Sequence, residues 1–478
     1  MRSYAQLIES SPRGFLLVLV LVFGAIFFMI ISSFTVFIIT QSKLITEKVE
    51  FEHSGQIAEA GLNYYKWFLT HYPNDVTNGT GLPGPYVGVY NDPEGAAIGE
   101  YSLTVASTTY CGDVASIDVT SVGHTYAAPT ISRSVSARYA RPTVAEFAFI
   151  LNSNVWAGSD RIINGPYHSN GGVRMDGRNN AVVTSGQATW SCNGTYGCSP
   201  TVTRNGVFTT TGNARASLFE YPSAPINYSG LTVDLALMQN RAQNKGGVYI
   251  PASGAQGYHV TFNATGTVTV KRVTQTYSYS ASVDGSNFAT ERNIIQTETL
   301  YGTYAIATSC PLIFVEDKVW LDGTTTKKVT LAAADVDTGG VDPSIILNGD
   351  LKYSSATTSG LLAIAEQDIL VGVVVPNDMY SNGIYIAQKG KFGRNYYRYA
   401  DLPSSPDYRT YYARNSHTVN GTIVANIGGG TQWVSGTIFV SGFRNRYNSY
   451  DRNLVANPPP LVPVTSDVYE FSEWRDRN

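Results

Sequence analysis

The sequence predicts a mostly β protein carried behind one long N-terminal α-helix. Three observations lead there. From Gly14 to Thr40 the chain runs 27 residues without a charge. That run passes, with no proline, into a stretch ending at Leu69 whose apolar residues recur at helical spacing. Beyond residue 70 the chain becomes short segments alternating apolar and polar residues between Gly, Asn and Asp turns. Charged residues are only 14%, with 45 Gly and 32 Tyr, which suits an all-β chain of many short strands. A length of 478 residues predicts two or more domains.

Residues 1–14 read as a leader, carrying Arg2, Arg13 and Glu9 ahead of the apolar run. An α-helix rises about 1.5 Å per residue and a bilayer core is roughly 30 Å thick, so the uncharged run spans it with length to spare. A cleaved secretory signal has an apolar region of about 7–15 residues ending in a small-residue site. Gln41-Ser42-Lys43-Leu44-Ile45 offers no such site, so the helix is expected to stay attached. Basic residues remain cytoplasmic. Glu47, Glu50, Glu52 and Glu59 follow the run. The expectation is a single-pass membrane protein with a cytoplasmic N-terminus and an extracellular C-terminal part.

Residues 15–70 are expected to form one continuous helix. Leu44, Phe51, Ala58 and Tyr65 repeat every seven residues, and Ala58, Leu62, Tyr65 and Leu69 alternate steps of four and three. Both spacings place one apolar stripe on a helix face. Lys43/Glu47 and Lys48/Glu52 are i,i+4 pairs for the solvated side. Pro73 and Asn74-Asp75 end the helix.

The Arg13-Gly14-Phe15 junction, the apolar run and Gln56-Ile57-Ala58-Glu59-Ala60-Gly61-Leu62-Asn63-Tyr64-Tyr65 resemble the N-terminus of type IV prepilins, more closely that of PilX-type minor pilins. The resemblance implies cleavage after Gly14 by a prepilin peptidase, leaving Phe15 as the mature N-terminus. It implies that Leu19, Ala58, Gly61 and Leu62 belong to a helix that inserts into the bilayer and then packs against other pilins in a filament. Major pilins carry a glutamate at the fifth mature position, where this chain has Leu19. That departure points to a minor, tip-type member. A plain single-span anchor is the competing reading.

Residues 71–141 are expected to form a small β head. Glu100–Val105, Ala115–Ser121 and Ile131–Tyr139 alternate with period two, as strands with one buried face do. A long helix on a small antiparallel sheet is similar to a pilin head. So is Thr120-Ser121-Val122-Gly123 followed by a strand bearing Arg133 and Arg138.

Residues 142–478 carry a loose apolar-x-Gly-x-apolar pattern, at Ile163–Tyr167, Leu347–Leu351, Val419–Ile423 and Val434–Ile438. Apolar residues flanking a glycine corner suit the stacked coils of a β-solenoid, here a right-handed parallel β-helix. Residues 257–310 break the pattern as an inserted β element. A β-sandwich stack is the alternative. A short helix is expected over Leu231–Asn240. The ending, Pro458-Pro459-Pro460 and then Val468-Tyr469-Glu470-Phe471, is expected to lay a last strand along this domain as a cap.

Four cysteines outside the membrane suit disulfides and allow three connectivities. The short loop between Cys192 and Cys198 favours that pair, leaving Cys111 with Cys310. No Cys-x-x-Cys or paired-His spacing suggests zinc. Asp335, Asp337 and Asp342 resemble part of a calcium loop that lacks its closing glutamate, so calcium is a weak cofactor candidate and no other is expected.

No nucleophile elbow, P-loop or His-Glu-x-x-His motif is present, so no catalytic residue is assigned. Tyr396, Tyr397, Arg398, Tyr399, Tyr411 and Tyr412 mix aromatic rings with a guanidinium and form a candidate ligand surface for a glycan or a host or surface protein. A net charge of −3 without a basic face argues against nucleic acid as the main partner. The reading is a minor or tip component of a type IV pilus or related filament, with an adhesive extracellular domain. The alternative is a membrane-anchored β-helix that binds polysaccharide or cleaves it as a lyase or hydrolase.

Overall fold

The computed structural model describes residues 12–73, 75–228, 234–336, 339–436, 438–466 and 468–477. Helix α1 spans Pro12–His71, 60 residues. Its apolar side chains from Phe15 to Ile39 stand exposed, and by length and composition it can cross a membrane. Farther along, the four-three part of the predicted stripe is buried, with Ala58, Leu62, Tyr65 and Leu69 all at 0% exposure, whereas Leu44, the first position of the seven-residue repeat, is exposed and Phe51 is half-buried.

The chain divides into two compact units. One runs to Ala106, resumes over Asp118–Arg138 and ends with the segment from Trp474; the other comprises Ser107–Ile117 and Tyr139–Glu473. In the first, the stripe of α1 packs on a sheet. That sheet is ordered β1 (Tyr86–Asn91), β2 (Ala97–Tyr110), β3 (Asp113–Thr125), β4 (Ser132–Ala140) and then the C-terminal strand Glu470–Arg477. Small residues let the helix come close. A Cβ on Gly123 would lie 2.3 Å from the Ser54 carbonyl oxygen and 2.5 Å from the Ala58 nitrogen. Ser54 Oγ donates to Glu50 O at 2.7 Å and stands 3.0 Å from Ile131 O. Arg133 on β4 donates to Glu52 at 3.1 Å, ion-pairs with Asp476 and lies 4.9 Å from the Phe51 ring centre. Lys43 and Glu47 meet as expected, at 3.7 Å, while Glu52 turns to Arg133.

The last strand differs from its expected role. It joins β4 in this sheet rather than capping residues 142–478. Its alternation marks it as a strand but carries no label for a partner more than 300 residues earlier.

The larger unit is built on parallel pairing. One ladder runs Val248–Ile250, Leu312–Val315, Lys328–Ala333, Gly360–Ala365, Asp378–Gly393 and Ala413–Ile427, and continues through Phe149–Leu151, Tyr167–Ser169, Val183–Ser185 and Phe219–Glu220. A second runs Gly257–Phe262, Val319–Thr325 and Ile345–Tyr353. Ala413–Ile427 also pairs with Ile438–Ser449, which pairs with Arg161–Asn164 and through it with Arg178–Asn179. The spatial order is not the chain order. An early run of strands ends at Glu220. The chain then restarts at Val248 and works back until Ala413–Ile427 meets Phe149–Leu151.

Several strands of the first ladder are buried on both faces. Ile313, Leu331, Leu361 and Ala363 face one core; Leu312, Phe314, Ala332, Leu362 and Ile364 face another with Met238 and Ala242. Those last two lie on the helix Leu235–Asn244, whose Asp234 cap accepts from Leu237 N at 2.9 Å. Residues 229–233, where part of the predicted helix falls, lie outside the described residues. Parallel strands covered on both sides read as continuous apolar runs. The prolines lie along the outer face of the same strands: Thr330 Oγ1 donates to Pro460 O, and a Cβ on Gly360 would lie 3.3 Å from Pro459. Glycine corners stack across neighbouring strands. Gly421, at φ +142°, is in register with Gly383, at φ +150°, and a Cβ on it would lie 1.8 Å from the Gly383 oxygen.

Within 257–310, Thr267–Ser282 and Phe288–Ala305 form a long antiparallel hairpin, joined to the ladder through Gly257–Phe262. His259 sits at that join. Its Nδ1 is 2.8 Å from Glu298 and its Nε2 2.9 Å from Asp322; Lys271 also pairs with Glu298. Burial pulls the imidazole pKa down, but hydrogen bonds and charge from Asp322 and Glu298 outweigh it and leave the pKa raised. Both carboxylates are lowered, against the opposing effect of burial, by their cationic partners. The imidazolium contribution is therefore full below the ordinary histidine value of 6.5 and is lost as pH rises through the higher folded value. The carboxylate contributions are full above 4.5 and are lost as pH falls through the lowered values. Urea unfolding is expected to show greatest stability for this region between those limits. His259→Gln is expected to cost about 3 kcal/mol near pH 5.5 and to flatten the decline that sets in above pH 6.5. An undiminished decline in the variant would assign it to another group.

Candidate interaction surface

The tyrosine- and arginine-rich segments come together as one aromatic layer, assembled from three regions of the larger unit. Asp378–Gly393 delivers the chain into Arg394–Tyr399. The short helices Tyr399–Asp401 and Arg409–Tyr412 fold back beside it. The hairpin supplies Tyr277, Tyr279, Phe288 and Glu291. Trp433 comes from the strand Gln432–Ser435.

Two groups hold the layer from beneath. Glu291 accepts from Tyr279 Oη at 2.6 Å, Tyr397 Oη at 2.9 Å and Asn395 Nδ2 at 2.6 Å. Burial, reinforced by the Glu291 charge, pushes both phenols well up, so they remain donors to the carboxylate. Arg394 is fully buried. It donates to the carbonyls of Gly372, Val373 at 3.2 Å and Tyr411 at 2.7 Å. Burial brings its pKa down to about 10, so it stays charged at neutral pH.

The predicted residues divide accordingly. Tyr397 is 1% exposed and belongs to the support with Tyr279, Val373 and Leu402, so it is not part of the surface itself. Tyr399 is half exposed, while Tyr396, Tyr411 and Tyr412 are half-buried. Arg398 lies 3.8 Å over Phe288, Arg414 3.8 Å over Tyr411 and Arg409 5.3 Å over Tyr399. Tyr399 and Tyr412 meet edge-on at 6.2 Å. Arg398 also pairs with Asp401, and Arg409 with Asp407 at 2.8 Å, so the stacked guanidinium groups leave a face of aromatic rings and ion pairs that can meet polar or ring-bearing groups. Phe288 and Trp433 were not singled out from the sequence; each lies far along the chain from the tyrosine-rich segments, and only folding gathers them.

The other predicted residues are placed as follows. Leu19 is exposed on α1, and Leu62 is buried with Ala58 in the stripe. Gly61 faces Ser121, where a Cβ would lie 2.5 Å from Oγ. Gly14 falls within α1, and Phe15 is exposed. Disulfides join Cys111 to Cys310 and Cys192 to Cys198. Asp342 ion-pairs with Lys389 at 2.9 Å, and Asp335 accepts from Gly340 N at 3.2 Å. Asp337 lies outside the described residues. Among the described residues no group of three or more His, Cys, Asp or Glu side chains is placed to hold a metal.

No family model matches this chain, and no curated protein matches it significantly. Among solved structures, it is similar to the competence-associated pilin ComZ from Thermus thermophilus at 13% identity, over 90% of this chain and 98% of that one, with a TM-score of 0.28.

Proposed function

We propose that this protein is a membrane-anchored, pilin-like surface subunit. In this reading it is a minor or tip component of a type IV pilus or related filament. The observation that carries it is the two-part helix α1, bare and apolar from Phe15 to Ile39 and buried on a sheet from Ala58 to Leu69. A simple anchor needs only the first part. A filament subunit needs both, since the rod must leave the bilayer still attached to its head.

The N-terminus is cytoplasmic and the β-rich part extracellular. Successive parallel strands in matched register support a β-solenoid for the larger unit. Its Tyr–Arg face serves as the adhesive surface, for a glycan or a surface protein. No catalytic role is assigned. Asp335, Asp337 and Asp342 remain a weak calcium loop in this reading, to be tested by calcium titration.

Intact-mass analysis of the full chain, expressed with and without a prepilin peptidase, tests the assignment. A mature N-terminus at Phe15 that depends on the peptidase is the expected result. An uncut Met1, or an exported chain lacking Phe15–Thr40, would overturn it.

A further inference from the structure

Where the late strands of the larger unit return to its early ones, they line a cavity of about 20 Å³. Phe149, Arg161 and Tyr167 line it from the early strands, and His417, Arg446 and Asn448 from the late ones. The space admits a water molecule or an ion of similar size. Arg161 is 8% exposed, and its Nε has no hydrogen-bond partner. Its guanidinium lies 5.4 Å from the Phe149 ring centre.

The neighbouring carboxylate is already engaged. Arg446 grips Asp160 from Nε at 2.6 Å and from Nη2 at 2.5 Å. Among the described residues no carboxylate pairs with Arg161. Asp160 reaches Arg161 only through its charge, so one carboxylate stands against two guanidinium groups. Burial lowers the Arg161 pKa only to about 10, so both stay charged at neutral pH. His417 does not offset them. It stacks 4.9 Å from Phe443, its Nε2 lies 2.9 Å from Ser381 Oγ, and burial beside the arginines holds it neutral with a pKa of about 3. An uncompensated buried cation is strongly unfavourable.

We propose that this cavity is a binding site for a small monovalent inorganic anion of chloride size. The Arg161 guanidinium supplies the charge, and Asn448 and Tyr167 can supply neutral donors. One excess positive charge matches one negative charge, and a space of about 20 Å³ suits a monatomic ion. The anion would act at the closure of the chain. Asn448 is in parallel register with Ile163, two residues from Arg161, so an ion there ties the early run to the returning one.

The test is thermal unfolding of the full chain in detergent, in sodium chloride against sodium gluconate at equal ionic strength. Chloride is expected to raise Tm by about 3 °C. Bromide-soaked crystals are expected to show an anomalous scatterer within about 3.5 Å of the Arg161 guanidinium. Arg161→Met is expected to abolish the chloride increment. If that variant does not fold, Asn448→Leu is expected to lose at least half of it. Equal Tm in the two salts, or density in bromide crystals that scatters only as water, would overturn the proposal.

Discussion

Gly123→Ala is expected to destabilise the packing of α1 on its sheet by about 3 kcal/mol, the upper end of what overpacking costs. The added methyl would lie 2.3 Å from the Ser54 oxygen and 2.5 Å from the Ala58 nitrogen. Both obstacles are backbone atoms, so no rotamer change relieves the clash and the helix must shift bodily. Such a shift would also loosen the Ser54 Oγ contact to Ile131 O and the Arg133 pair with Glu52. Gly212 is the control. Nothing lies within 4 Å of a Cβ there, and Gly212→Ala is expected to stay within about 0.5 kcal/mol of the parent. Urea unfolding of the full chain in detergent, followed by near-ultraviolet circular dichroism, distinguishes the two. Equal midpoints for parent and Gly123→Ala would show that the helix does not need the close approach.

Replacing Cys111 and Cys310 together by alanine is expected to cost about 4–5 kcal/mol in the chain-entropy description. The bond joins residues 199 apart, so its loss frees a long loop in the unfolded chain. Both cysteines lie in the core cluster with Leu312, Phe314 and Met238, and the deleted sulfurs also leave space there. The bond from Cys111 N to Ser309 O, at 2.9 Å, survives the substitution and moderates the effect. Removing Cys192 and Cys198 is expected to cost about half as much, because that bond closes a separation of only 6 residues. Urea midpoints of the two double variants measure the order. A larger loss for the Cys192/Cys198 pair would point to packing around Trp190 rather than to loop closure.

Much of the first unit was legible because its signals are local. An uncharged run, a four-three stripe and period-two strands each reveal themselves within about twenty residues. The buried positions Ala58, Leu62, Tyr65 and Leu69 follow from spacing alone. The larger unit was less legible for a definite reason. Gly360–Ala365 is buried at every position, so it carries no alternation to say which residues face which core. The Tyr–Arg surface was half legible. Composition marked the segment, but it could not separate Tyr397, turned inward to Glu291, from Tyr399, turned outward.

The sequence by itself determined the kinds of element: a helix apolar first and striped later, short strands with glycine corners, and cysteines in an even number. Those follow from one residue and its near neighbours, where helical and extended periodicities act. Only the tertiary structure decided partners and order. It placed Glu470–Arg477 beside β4 and Ala413–Ile427 beside Phe149–Leu151, and it brought Arg161 and Arg446 to one cavity. Pairing between distant strands is selected by burial and backbone hydrogen bonding summed over the whole unit. No single segment carries that sum.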